Sequence, residues 1–385
     1  MSKTVFTTKN LIKAYLNCRE TKRHTINALK YELDVDRNLD LLRRSLANRT
    51  YRPGRSICFV VTFPKPREIF AAEFGDRIVH HVLINEVEDI WEKGIFIEDS
   101  YACRAKKGTH FGMHRLSQFV SAFAYYGQFD VSNFFPSINK NILYRCFSKV
   151  ILRQNRPDFW KEEVLWIARV IIFNDPTKKY FYKGDPDLKK LVPLGKSLFD
   201  HDKITGMPIG NLTSQFLANV YLNELDHFVK DELGCVAYGR YVDDFLLFSN
   251  SKEEIIAWRD KIFAFLKNNL RLTANPRKQQ IQPTRHGVPF VGYFIKPWGV
   301  TVRRNVVKNI KKKLYTYNNS VDIEHTVSSV NSYFGHFAHA KSARLRRHLV
   351  SEHMCLGLKT KIVVVGNYHH LGVRKLKNKE HKLYE

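Results

Sequence analysis

Apolar residues recur at three- and four-residue spacing over the first fifty positions, where LIKAYL and NLDLLRRSL predict helices. YRPG at Tyr51–Gly54 reads as a turn. From Ser56 to Ala72 the chain alternates, with β-branched and aromatic residues either side of PKP, which predicts a two-stranded ribbon. Asp76–Trp91 predicts a strong helix, because Ile78, Val79, Val82, Leu83, Val87 and Ile90 share one face. Further helices are predicted over 108–123, Ile142–Val150, Trp160–Phe173, Asn211–Lys230 and Lys252–Asn268, and in the basic stretch from Arg303 onward. Strands are predicted over 127–131 and Phe290–Ile295. Asn174–Thr205 is polar and rich in Lys and Pro, and reads as an extended loop. No repeat or low-complexity tract interrupts the pattern. The fold class is α+β, with strands backed by helices.

Two apolar stretches carry acidic residues that the pattern alone does not explain. YVDDFLLFS (Tyr241–Ser249) predicts a hairpin of two buried strands, with Asp243 and Asp244 at its tight turn. GQFDVSNFFPSI (Gly127–Ile138) sets Asp130 among aromatic residues. Carboxylates in such surroundings need a counter-charge, and a divalent cation supplies one. Two acidic strands of this kind match two-metal phosphoryl transfer, in which ions about 3.5–4 Å apart serve the attacking and leaving oxygens.

Charge narrows the class of partner. The chain of 385 residues has 63 Lys and Arg against 37 Asp and Glu, a formal net charge of +26, which calls for a polyanion and makes nucleic acid the default. A ribosomal or chromatin-like binder is disfavoured, because 44% hydrophobic and 13% aromatic residues suffice for a large core. The cysteines at 18, 58, 103, 146, 235 and 355 form no CxxC pair, so neither a zinc site nor a disulfide framework is indicated. No signal peptide or long apolar span is visible, so a reduced, cytoplasmic protein away from membranes is expected.

Seven lines, in order, carry a family resemblance: FPKPREIFAAEFGDRIVHHVL (Phe63–Leu83), DSYACRAKKGTH (Asp99–His110), FDVSNFFPSI, GMPIGNLTSQFLANVYLNELD (Gly206–Asp226), YVDDFLLF, FVGYFI (Phe290–Ile295) and SYFGHFAHAKSARLRRHL (Ser332–Leu349). With these the chain resembles the reverse transcriptases over most of its length, and is most similar to those of diversity-generating retroelements. The resemblance implies a right-hand polymerase. Residues 1–125 would form an N-terminal extension and fingers. Residues 126–298 would form the palm, with a fingers insertion at about 155–205, and 299–385 the thumb and a C-terminal tail. From Leu356 onward no family line is recognisable.

The resemblance also implies roles. Asp130 and Asp243 would bridge two Mg²⁺ ions, with Mn²⁺ able to substitute; the Val131 carbonyl would be a further ligand, and Asp244 would support the primer-side ion. Phe135 would lie under the sugar as a steric gate against the 2′-hydroxyl, with Phe134 in the core. Lys65 and Arg67 would grip the triphosphate of the dNTP. Arg77 is expected to make a structural pairing with an acidic neighbour. Arg104, Lys106 and Lys107 are expected on the template backbone. Gly210 would let the chain approach nucleotide and template base closely. Ile209 stands where retroviral and group II intron enzymes have Gln, and Ser214–Gln215 where they have SP. An apolar side chain there removes an amide that could discriminate bases. Lys278 is a candidate proton donor to pyrophosphate, with Arg277 beside it. Gly292 and Tyr293 match the primer grip, and Arg303, Arg304, Lys311 and Lys312 give RRNVVKNIKKK a cationic face for a template–primer duplex.

The first functional expectation is therefore an RNA-directed DNA polymerase copying a template RNA into cDNA. The retroelement resemblance adds errors at adenines, replacement of a variable repeat, and a small basic accessory protein forming a pentamer. A phage-defence or other stand-alone reverse transcriptase is the alternative, distinguished by flanking genes. A non-catalytic RNA-binding protein on a polymerase fold is a third, against which the three aspartates argue. A group II intron maturase is less favoured, and the length leaves no room for an RNase H domain.

Overall fold

A computed structural model of the chain describes residues 3–20, 22–23, 25–318 and 322–374. In chain order the elements are α1 (Thr8–Glu20), α2 (Ile26–Glu32), α3 (Val35–Ala47), β1 (Ser56–Val61), β2 (Arg67–Ala71), α4 (Phe74–Gly94), α5 (Thr109–Ala122), β3 (Tyr125–Val131) and α6 (Phe134–Ser137). Next come α7 (Lys140–Leu152), α8 (Asp158–Ile172), β4 (Tyr180–Tyr182), α9 (Leu212–His227), β5 (Tyr238–Tyr241), β6 (Asp244–Ser249), α10 (Lys252–Leu270) and β7 (Ala274–Pro283). The last are β8 (Val288–Phe290), β9 (Tyr293–Lys296), β10 (Gly299–Val302), α11 (Arg304–Tyr317), α12 (Ile323–Phe337), α13 (Ala343–His353), α14 (Leu356–Thr360), β11 (Ile362–Val365) and β12 (His370–Val373).

Two compact units result. The first comprises Met1–Gly108, Gly127–Leu247 and Glu253–Gln280. Its α4 buries the predicted face except for the half-buried Ile90, and Trp91 stacks on Phe147 of α7 at 5.1 Å while meeting Phe216 of α9 edge-on at 5.4 Å. Asn139 starts α7 by accepting from the Asn141 and Ile142 N–H groups, at 3.1 Å each. α9 is buried on nearly every face, so its apolar stripe is hard to see in the sequence. A four-stranded sheet in the order β5-β6-β3-β7 brings the two acidic stretches onto neighbouring strands.

The second unit comprises Thr109–Tyr126, Phe248–Lys252 and Ile281–Glu385. α5 belongs here because Thr284 N–H and Oγ1 donate to the Ala124 and Phe123 carbonyls, and Ser121 Oγ to that of Pro297. Its helical core gathers Ile310 and Leu314 of α11, Val330 and Phe334 of α12 and Leu349 of α13.

Several sequence expectations change. Asn174–Thr205 is not simply a loop: β4 pairs parallel with β1 (Ser56 opposite Tyr180), and 3₁₀ turns follow at Pro186–Leu191 and Leu198–Asp200. Long-range pairing makes that short strand, and Lys189 packs over Tyr180, Tyr182 and Phe199. Phe290–Ile295 is not one strand but a turn at Val291 and Gly292 between β8 and β9, both residues having positive φ (34° and 86°). β7 and the β11–β12 hairpin have no counterpart in the sequence reading. Residues 375–385 of the expected tail lie outside the described residues.

Candidate active site

The β5–β6 hairpin closes with Tyr241 opposite Asp244, so its two-residue turn is Val242–Asp243 and Asp244 opens β6. This shifts the turn by one residue from the sequence reading. Val242 has φ 58°, an outlier for a β-branched residue. Its carbonyl accepts a hydrogen bond from Arg240 Nη1 at 2.9 Å. Arg240 and its partner Asp226, both fully buried, went unnoticed in the sequence; an Arg beside an acidic turn and an Asp closing an apolar helix were the available signals.

Asp130 lies on β3 and is 4% exposed. Lys278 Nζ, from β7, contacts Asp130 Oδ2 and lies 3.8 Å from Asp244 Oδ1. Asn275 Nδ2, also from β7, donates to Asp130 Oδ2 at 3.2 Å, and Asp130 Oδ1 is buried with no donor. Removal from water pushes the Asp243 carboxyl well above the ordinary carboxylate range, and the negative charge of Asp130 and then Asp244 adds to it. Partial burial works against the Lys278 ammonium, yet these carboxylates hold its pKa above the usual lysine value.

Two carboxylates, those of Asp130 and Asp244, thus meet one ammonium, the Asp243 carboxyl lies in the field of both, and a buried Asp130 oxygen lacks a donor. Such a donor set, hard oxygens with excess negative charge, fits a divalent cation such as Mg²⁺. Among the described residues no three His, Cys, Asp or Glu side chains form a ready-made cage. That is compatible with Mg²⁺, which binds through one or two carboxylates together with water and substrate phosphates. Asp130, Asp243 and Asp244, with the carbonyl of Val131 at the end of β3, are the groups that would hold it.

The chain 206–211 is tied to two elements. Met207 N–H donates to the Phe135 carbonyl and Gly206 N–H to that of Ile138, each at 2.9 Å. Phe70 N–H of β2 donates to the Ile209 carbonyl at 2.9 Å, and Ala72 N–H to Asn211 Oδ1 at 3.1 Å. Gly210 has φ 121°, and a Cβ there would lie 2.8 Å from Ile69 Cγ2. The close approach Gly210 permits is therefore to strand β2. Phe134 is buried and Phe135 half-buried. Lys65, in the β1–β2 connection, and Arg67, which opens β2, are exposed.

Residues 64–295, more than half of the chain, match the family model for reverse transcriptase (RNA-dependent DNA polymerase). The chain belongs to the reverse transcriptase family. Its α+β fold is that of a right-hand polymerase. Protein YkfC of Escherichia coli K12 is 23% identical over 294 residues, 66% of this chain and 70% of YkfC. The retron Ec86 reverse transcriptase of Escherichia coli is 28% identical over 123 residues, 31% of this chain and 38% of its own length. Among solved structures, telomerase from Candida albicans with the TWJ fragment of telomeric RNA is similar over 72% of this chain and 55% of its own, at 10% identity and a TM-score of 0.45. Apo telomerase from Candida tropicalis is similar over 69% and 52%, at 12% identity and a TM-score of 0.46. The chain spans about half the length of those telomerase chains.

Within this reverse transcriptase, several expected nucleic-acid contacts are committed elsewhere. Arg104 is buried: its Nε and Nη2 bind Glu92, and its Nη1 binds the Ile97 and Ser100 carbonyls and Ser100 Oγ. Lys107 pairs with Glu98, and of that trio Lys106 alone is exposed and outside any ion pair among the described residues. Arg77 pairs not with an acid but with the Ala72 carbonyl, at 2.8 Å. Tyr293 is fully buried, stacked on His336 at 4.1 Å, and its hydroxyl donates to the His336 carbonyl at 2.8 Å. Its side chain is a packing element, not a contact. Gly292 gives the neighbouring turn its positive φ where a Cβ would meet His336 at 2.8 Å. Arg303, Arg304 and Lys312 are exposed and Lys311 is half-buried, while Ile310 and Leu314 hold the opposite face of α11 in the core. Among the described residues no helix is long and apolar enough to cross a membrane.

Proposed function

We propose that this chain copies a template RNA into cDNA by two-metal nucleotidyl transfer at Asp130, Asp243 and Asp244. The observation that carries the reading is the meeting of Asp130 and Asp244, from neighbouring strands, at Lys278, with Asp243 in the turn beside them and a buried Asp130 oxygen left without a donor. When bound, two Mg²⁺ ions supply Lewis acidity to the attacking 3′-hydroxyl and the leaving pyrophosphate. Asp130, Asp243, Asp244 and the Val131 carbonyl provide the negative and dipolar oxygens. Lys278 Nζ, kept protonated by the carboxylates, is the group that passes a proton to pyrophosphate. Phe135 limits the space under the sugar, and Ile209 presents an apolar surface to the incoming nucleotide. Lys65 and Arg67, exposed at the fingers ribbon, bind its triphosphate. Lys106, Arg303, Arg304, Lys311 and Lys312 supply charge for template RNA and the RNA/cDNA duplex.

Two biological programmes share this chemistry. The IGNLTSQ line supports a diversity-generating retroelement, with errors at adenines and a small basic pentameric accessory protein. Similarity to a retron enzyme supports a stand-alone, retron-like or defence role equally well. Primer extension on an RNA template with dNTPs and Mg²⁺ tests the shared chemistry. Asp243→Asn should abolish it while leaving the fold and RNA affinity intact, because the amide keeps the shape and removes the charge. Extension by the mutant within about tenfold of wild type would sink the assignment. Sequencing the cDNA separates the programmes: an excess of substitutions opposite template adenine that falls in Ile209→Gln favours the retroelement, and an even error spectrum favours the other.

A further inference from the structure

Asn219 and Asp226 lie two turns apart on α9 and therefore share a face. Arg240, the last residue but one of β5, reaches both. Its Nε and Nη2 bind Asp226 at 2.7 and 2.6 Å, and Nη1 binds Asn219 Oδ1 at 3.1 Å and the Val242 carbonyl at 2.9 Å. Tyr238 completes the acceptor side by donating its hydroxyl to Asp226 Oδ1 at 2.8 Å. The strand itself is pinned: Arg240 N–H donates to the Asp99 carbonyl, and the Arg240 carbonyl accepts from Tyr101 N–H, both at 2.9 Å.

We propose that Arg240 is a positioning residue for catalysis, its guanidinium clamping the Val242–Asp243 peptide to α9 so that Asp243 is held where the reaction needs it. A buried ion pair is by itself weak evidence for stability, since its desolvation offsets its attraction. The Val242 contact is what distinguishes this pair. The Val242 carbonyl and the Asp243 N–H belong to one rigid planar unit, so fixing that oxygen fixes the backbone from which the Asp243 carboxylate projects. Val242 sits at φ 58°, a conformation a β-branched residue leaves unless its surroundings hold it. Arginine alone can do this: its fork binds the carboxylate with two nitrogens and keeps a third for the carbonyl, which a lysine cannot match.

The inference rests on the polymerase reading, so the experiment includes its control. Wild type must extend a primer and Asp243→Asn must not; if wild type fails, the functional reading has failed. Arg240→Lys should lower kcat about a hundredfold through misplacement of the carboxylate. KM for dNTP and Kd for template RNA should stay within about threefold, measured well below the unfolding midpoint. Tyr238→Phe removes a hydrogen bond from the same buried carboxylate without touching Val242, and should keep kcat within about threefold even where its midpoint falls. Retained kcat in Arg240→Lys, or parallel loss in both variants, would overturn the proposal and leave an ordinary structural pair. If Arg240→Lys does not fold, D226L/R240M removes both charges together, an exchange that is often neutral, and is read in the same way. Failure of both to fold would also overturn the positioning role.

Discussion

Phe134 and Phe135 are adjacent and chemically identical, yet one is buried and the other half-buried, with ring centroids 5.4 Å apart. Only the second has surface to offer a sugar. Phe135→Ala should admit ribonucleotides, seen as a rise in ribonucleotide incorporation relative to deoxynucleotides; an unchanged ratio would make Phe135 a core residue. His80 presents the opposite case, a titratable group with no outlet. It is buried in α4 with Nδ1 unpartnered, and burial, then His81 and Arg77, push its pKa down to about 3. The unfolded chain takes up that proton near pH 6.5 and the folded chain does not. Stability is therefore intact above about pH 6.5 and falls toward pH 3, by about 1.4 kcal/mol per pH unit from this residue. His80→Gln should remove about one proton from the pH dependence of the unfolding free energy between pH 4 and 6. An unaltered slope in denaturant titrations would show that His80 is not the group responsible.

At the scale of elements, the 206–211 segment shows how a site is assembled from pieces that are each marginal alone. Its backbone is stitched to α6 on one side and to β2 on the other, and Gly210 makes the second seam possible. Gly210→Ala would combine a φ of 121° with a methyl 2.8 Å from Ile69 Cγ2. The strain, about 1–3 kcal/mol, should loosen the seam rather than unfold the chain. The expected result is a raised KM for dNTP with template affinity unchanged. An unchanged KM would mean that the seam does not shape the nucleotide site. The same two-sided logic applies to the acidic β5–β6 hairpin. Its apolar strands and acidic residues are legible in YVDDFLLFS, but the register that puts Asp243 in the turn and Asp244 on the strand depends on pairing Tyr241 with Asp244.

For the molecule as a whole, the dominant quantity is charge. A net +26 makes binding to RNA a counterion-release process, so affinity should fall steeply with salt. Every phosphate that a variant no longer neutralises should flatten the slope of log K against log salt by about 0.7–0.9. Charge reversal at Lys311 and Lys312 should flatten it by roughly two such steps without moving the unfolding midpoint, as neither residue is in the core. If the slope stays as it was, the nucleic acid does not cross α11. The charge cannot be read as uniformly available. Arg104 and Lys107 are spent on Glu92 and Glu98, and Arg240 on Asp226.

The sequence alone determined what depends on local order. Helical spacing marked α4 and α7, alternation marked β1 and β2, and Asp130, Asp243 and Asp244 stood out because carboxylates in apolar strands need a cation. The tertiary structure decided what depends on partners distant in the chain. Lys278 meets Asp130 only because β7 lies beside β3, and nothing near ANPRKQQIQP announces a strand. Tyr293 turned from an expected nucleic-acid contact into a packed ring because His336 covers it, and Arg104 is withheld from the template because Glu92 lies within reach on α4. A lysine or arginine in a sequence is only a charge on a long arm; which anion it meets, a phosphate or a buried carboxylate, is fixed by long-range packing that local pattern does not encode.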